Sequence, residues 1–169
     1  MAIFKRLWQL KIPNKVVFLL WRVFLDRIPT KRNLNKRQVV IDDGDLSCIF
    51  YHGMEEDGSH LLFTCSVAYQ MWMRMVQPDG DCFGSPFSPE EHFWQIGGLI
   101  KQWGSVVWST IIWNLWTQRN AMVFEGQHLD SNQLWERILY MTWTWLKAYQ
   151  KNFPWSYQQW QANPGLCLQ

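Results

Sequence analysis

Cysteine is scarce in this chain. Four occur among 169 residues, at 48, 65, 82 and 167, without the dense pattern that staples small secreted domains. Two of them stand among histidines, which favours a reducing compartment and metal ligation over bridging. Long apolar runs are missing too. The run Val16-Val17-Phe18-Leu19-Leu20-Trp21 stops at Arg22, well short of a membrane span. The first residues offer charge but no uninterrupted apolar core and no small-residue cleavage site, so no signal peptide is expected. These gaps point to an intracellular protein, nuclear or cytoplasmic, with no membrane partner. Charge of one sign is nearly absent as a signal: the net value of +2 is too small to establish a polyanionic partner. No segment has the nucleophile-elbow pattern of a serine hydrolase, and the chain reads as non-catalytic.

Tryptophan is abundant. Thirteen occur, and 48% of the residues are hydrophobic, enough for a sizeable core. The periodicity is helical almost throughout. Pro13 opens a helix carrying Val16, Val17, Leu20, Trp21, Phe24 and Leu25, which Pro29 ends. Thr30 caps a second, short helix with Leu34 on one face and Lys31, Arg32, Lys36 and Arg37 on the other. Asp42-Asp43-Gly44-Asp45 is a polar turn. Ser66–Val76 reads as a helix, and residues 77–89 as a surface loop. Ser88-Pro89-Glu90-Glu91 is a capping box for a helix that ends near Gly97-Gly98. A long apolar pattern from Ser105 reaches Phe124, with Gly126 placed to stop it. A last helix begins at Ser131 and closes at Pro154. The expected fold is mainly α: a small helical domain with a short zinc-loop segment, then two long antiparallel helices. The division expected is 1–77 for the front domain, 78–153 for a Trp-rich helical extension and 154–169 for a loose tail.

The chemistry concentrates in Cys48–Cys65, eighteen positions with two cysteines and two histidines. Thiolate and neutral imidazole are the ligands tetrahedral zinc prefers. His60 and Cys65 form H-x4-C, close enough for one turn to aim both at one ion. A second cysteine in C-x2-C spacing from Cys48 would be usual, and that position holds Tyr51. Three arrangements are open. His52 supplies the fourth ligand, giving C-x3-H-x7-H-x4-C across the flexible Gly53. Alternatively, water completes a three-ligand site, or the residues only pack as small buried groups. Glu55 and Glu56 read as solvated loop charges, which leaves a zinc-activated water without a base.

Trp8, Ile12-Pro13-Asn14-Lys15-Val16, Phe18 and Trp21 begin a set of landmarks. Leu34, Arg37, Cys48, Ser59-His60-Leu61-Leu62-Phe63-Thr64-Cys65, Ala68 and Trp72 complete it. Together they resemble the zinc-binding domain that follows the polymerase in plant LINE-type (non-LTR) retrotransposon reverse transcriptases. Ile112-Trp113-Asn114-Leu115-Trp116 with Arg119-Asn120 and Phe124 resembles what commonly follows it. The resemblance implies a C-x2-C-x7/8-H-x4-C site for Zn2+, matched at Cys48, His60 and Cys65 and departing at Tyr51. It also implies an upstream polymerase domain of a parent retroelement protein as partner.

The expected function is a non-catalytic zinc-binding module that binds RNA or single-stranded DNA. Lys15, Lys31, Arg32, Lys36 and Arg37 are its expected phosphate contacts. The alternative is a degenerate structural or protein-interaction remnant that binds neither metal nor nucleic acid. On that view the same charges are the solvated faces of two helices.

Overall fold

The computed structural model describes residues 2–39, 44–76, 88–100 and 103–168. Asp42, Asp43, Cys82 and most of the expected loop 77–89 lie outside the described residues. The described chain is helical, with no strand among the described residues and one isolated antiparallel bridge between Ser47 and Glu55.

Three helices form the front: α1 (Ala2–Leu7), α2 (Asn14–Phe24) and α3 (Lys31–Lys36). Pro13 precedes α2, whose buried stripe is Val16, Val17, Leu19, Leu20 and Val23. The helix ends at Phe24 rather than at Pro29, because Asp26 takes a left-handed conformation with φ 48°. Thr30 caps α3 as expected, its hydroxyl accepting from the Asn33 N–H at 3.3 Å. A π-helical turn over His60–Thr64 leads into α4 (Ser66–Val76).

The next helix, α5 (Pro89–Ile100), runs through Gly97-Gly98 instead of stopping there. The close packing is at Gly104, and a Cβ on Gly97 would meet nothing within 4 Å. A Cβ on Gly104 would sit 2.9 Å from Gly97 Cα and from the Ile96 carbonyl oxygen, so bare backbone lets α5 and the following helix meet at their corner.

That following helix, α6 (Gly104–Glu125), is the centre of the molecule. Its side chains from Val106 to Ile112 are all buried, and it packs on α2, α4, α5, the π turn and α7 (Ser131–Tyr149). A helix apolar on every side belongs inside a fold. Gly126 ends it with φ 65°, and Asp130 caps α7 by accepting from the Asn132 and Gln133 N–H groups. Three cross-contacts show α6 and α7 antiparallel: Trp103 with Phe153, Asn114 with Met141, and Gln118 with Arg137.

The expected loose tail is instead structured. Helices α8 (Tyr157–Ala162) and α9 (Pro164–Cys167) dock on α7 and α4. Trp160 is fully buried and donates to the Leu139 carbonyl at 2.9 Å, while Ser156 and Gln159 build a capping box. Tail composition obscured this, because one anchoring tryptophan leaves no period to read. Most tryptophans are core or half-buried. Trp8 and Trp94 are the exposed ones, at 55% and 46%.

Front and back are joined through aromatic rings. Phe24 stacks on Trp108 with centroids 5.3 Å apart and planes 4° from parallel. His92 sits 4.7 Å from Phe63 and 4.4 Å from Trp72, and its Nδ1 accepts from Trp108 Nε1 at 3.0 Å. Such ring pairs contribute about 0.5–1.5 kcal/mol each beyond the area they bury. They fix the π turn against α4, α5 and α6.

Candidate metal centre

Two local structures deliver the ligand atoms. The first is a tight loop in which the Cys48 N–H donates to the Met54 carbonyl at 2.8 Å and the Glu56 N–H to Leu46 at 2.8 Å. The Phe50 and Tyr51 backbone N–H groups inside this loop bond to Cys48 Sγ. The second is the π turn. Its wide i to i+5 closure, the Cys65 N–H donating to the His60 carbonyl at 2.8 Å, brings His60 and Cys65 to one side. Asp57 accepts from the His60 N–H at 2.8 Å, and Trp72 Nε1 donates to the Leu62 carbonyl at 2.8 Å, pinning the start and the middle of the turn.

The result is a cluster. Ligand atoms of Cys48, His60 and Cys65 all lie within 4.8 Å of one another, and all three residues are buried. The two sulfurs are 4.0 Å apart. Two thiolates on one tetrahedral zinc, each bonded at about 2.3 Å, stand about 3.8 Å apart. His60 Nε2 is buried with no hydrogen-bond partner, and its Nδ1 lies 3.4 Å from Thr64 Oγ1. An unmatched buried nitrogen costs free energy unless something meets it, and a metal ion held with the two sulfurs would supply that partner. These three residues therefore fit zinc.

The electrostatics prepare the sulfurs. Cys65 is held below the ordinary thiol range, chiefly by the hydrogen bond from Cys48 and, against burial, by the Val67 and Ala68 N–H groups and the Ser66 side chain. Those two N–H groups belong to the first turn of α4, where helix N–H groups are unclaimed. Cys48 is pushed up by donating that bond and by burial. With one sulfur favoured as thiolate and its neighbour holding the proton, a cation held here would bond both sulfurs and release that proton to solvent.

Tyr51 and His52 do not join the cluster. His52 is exposed at the loop tip, its Nδ1 3.2 Å from Ser47 Oγ. The Tyr51 ring folds over Gly53, where an added Cβ would meet Tyr51 Cε1 at 2.6 Å. Tyr51, Met54, His60, Thr64, Ser66 and Tyr69 line a cavity beside the cluster, leaving a way in from solvent.

The expected phosphate contacts are mostly engaged within the protein. Lys31 pairs with Asp45 at 3.2 Å, and Asp45 is held down to about 2 by the Ser47 N–H and hydroxyl and then by Lys31. Arg32 pairs with Asp57 at 2.8 Å and reaches Glu55 at 3.6 Å. Lys15 Nζ lies 4.9 Å from the Trp113 ring centroid, and Lys36 lies 3.5 Å from Asn33 Oδ1. Arg37 is exposed and belongs to no ion pair among the described residues.

Glu56 is not a solvated loop charge. It is fully buried, and its Oε1 accepts from Arg119 Nη2 at 2.7 Å and Nε at 3.1 Å and from the Lys31 N–H at 3.0 Å. The only signal for this pair was a lone arginine inside the apolar helix α6.

No helix among the described residues is long and apolar enough to cross a membrane. No curated protein and no solved structure matches the chain. The front block's resemblance is met at the level of a reverse transcriptase zinc-binding domain: residues 1–72 match the family described as zinc-binding in reverse transcriptase, and all three clustered ligands fall inside that match.

Proposed function

We propose that the chain is a non-catalytic zinc-binding module, from a plant LINE-type retroelement protein, that engages RNA or single-stranded DNA beside a polymerase domain inside the cell. Cys48, His60 and Cys65 hold the metal, and His52 remains on Ser47. The fourth place, where Tyr51 stands in the sequence pattern, is left to water on the cavity side. One observation carries the reading: three buried ligand groups within 4.8 Å, one of them from a histidine whose Nε2 has no partner. The zinc content of the purified chain, against Cys65→Ser, tests it. One zinc per chain, lost in the variant, supports the assignment.

A second reading is a scaffold that no longer binds metal or nucleic acid. Tyr51 at the fourth-ligand position and the internal pairing of Lys31 and Arg32 favour it. It predicts no zinc in either protein and no salt-dependent affinity for RNA.

A further inference from the structure

Positive charge without an ion-pair partner among the described residues gathers at the corner of α1 and α2, as well as on Lys36 and Arg37 at the end of α3. Residues 2–25 contain Lys5, Arg6, Lys11, Lys15 and Arg22 and no aspartate or glutamate. Lys5, Arg6, Lys11 and Arg22 are exposed, and none of the four belongs to an ion pair among the described residues. The same corner leaves two large rings in water. Trp8 and Phe18 are each 55% exposed and meet edge to face, with centroids 5.7 Å apart and planes 80° apart. Phe124, Tyr140 and other rings are exposed too, but Trp8 and Phe18 are exposed and in contact with each other, in a segment without acidic residues. Arg6, Gln9 and Lys11, chain neighbours of Trp8, line a cavity with Ser105 and Gln150.

We infer that this corner is a site for single-stranded nucleic acid. The inference rests on the nucleic-acid reading above and gives it a location. An unpaired base stacks on the exposed face of Trp8, which Phe18 props from the side. Arg6 and Lys11 take the flanking phosphates. Every base has a flat face, so such a platform tolerates any sequence, and a duplex with its faces already stacked is a poor substitute. The uncompensated cations favour a polyanion over an apolar protein surface, because phosphate contacts release counterions. On α3, by contrast, Lys31 and Arg32 already have carboxylate partners.

The test is fluorescence anisotropy of labelled oligo(U) RNA with the zinc-loaded full chain over a series of salt concentrations. Trp8→Ala should weaken binding about tenfold or more. Arg6→Gln with Lys11→Gln should flatten the slope of log K against log salt by about 1.4, near 0.7 for each lost contact. All of these residues are exposed, and circular dichroism with the melting temperature confirms that each variant folds. Lys36→Gln with Arg37→Gln should change little. Full affinity in Trp8→Ala and in the Arg6/Lys11 variant, with binding lost in the Lys36/Arg37 variant, would overturn the location and keep the nucleic-acid reading. Absence of oligo(U) binding by the wild type at low salt would overturn both, and would leave Trp8 and Phe18 as a contact for another protein.

Discussion

Glu56 Oε1 receives Nε and Nη2 of Arg119 at 3.1 and 2.7 Å, with both side chains out of solvent. Glu56 lies in the segment that matches the zinc-binding family, eight residues past Cys48. Arg119 lies in α6, far beyond that match. The pair ties the metal loop to the central helix, since Glu56 also bonds Leu46 and the Lys31 and Arg32 N–H groups. The guanidinium lies 5.2 Å from the Trp116 ring centroid as well.

Removing one partner leaves a buried charge alone. Arg119→Met should therefore destabilise the fold by about 3–5 kcal/mol, whereas Glu56→Leu with Arg119→Met should recover much of that loss. Urea denaturation of the three proteins checks this. An Arg119→Met midpoint equal to the wild type would refute the pairing.

Tyr51→Cys should restore the C-x2-C spacing. The Phe50 and Tyr51 N–H groups already turn toward Cys48 Sγ, so the loop is shaped for a second sulfur. Zinc affinity should rise, and so should the melting temperature in the presence of zinc, because binding energy becomes folding energy. Competition with a chromophoric chelator measures the first and calorimetry the second. His52→Ala should leave both unchanged, and a loss of affinity there would place His52 in the metal shell.

Burial holds His92 down to about 4 from the ordinary 6.5. A histidine kept neutral in the fold takes its proton in the unfolded chain first. Its contribution is complete above pH 6.5 and is lost as pH falls toward 4, for a total of about 3 kcal/mol. His92→Gln keeps an acceptor for Trp108 and removes the titration. The variant should lose less stability between pH 7 and pH 4.5 than the wild type does. Both proteins carry the same metal ligands, so the difference between their denaturation curves isolates His92. Identical pH profiles would contradict the assignment.

Gly104→Ala tests the α5–α6 corner. The added Cβ meets backbone atoms at 2.9 Å, which cannot swing aside as a side chain does. A cost of about 1–3 kcal/mol is expected from overpacking, read as a lower urea midpoint.

The helices were legible because their apolar positions recur at helical spacing and their caps are explicit. Thr30 before α3 and Gly126 after α6 are examples. The ligand cluster was legible because Cys48, His60 and Cys65 carry their chemistry in their identities. Other features were not, for physical reasons. Glu56 beside Glu55 looks like any acidic loop, and only the fold brings Arg119 to it. Lys31 and Arg32 look like a free basic face until Asp45 and Asp57 fold against them. Gly97 reads as a helix stop, yet α5 continues through it to Ile100, and its Cα lies against Gly104 at the start of α6. The π turn has no sequence period to reveal it.

The central claim is that Cys48, His60 and Cys65 hold zinc. Native mass spectrometry of the chain, purified without added chelator, tests it most directly, beside Cys48→Ser, His60→Ala and Cys65→Ser. The account predicts one zinc per wild-type chain and a marked loss of zinc in each variant. A metal-free wild-type chain that stays metal-free after zinc addition, with all proteins equally folded, would contradict it.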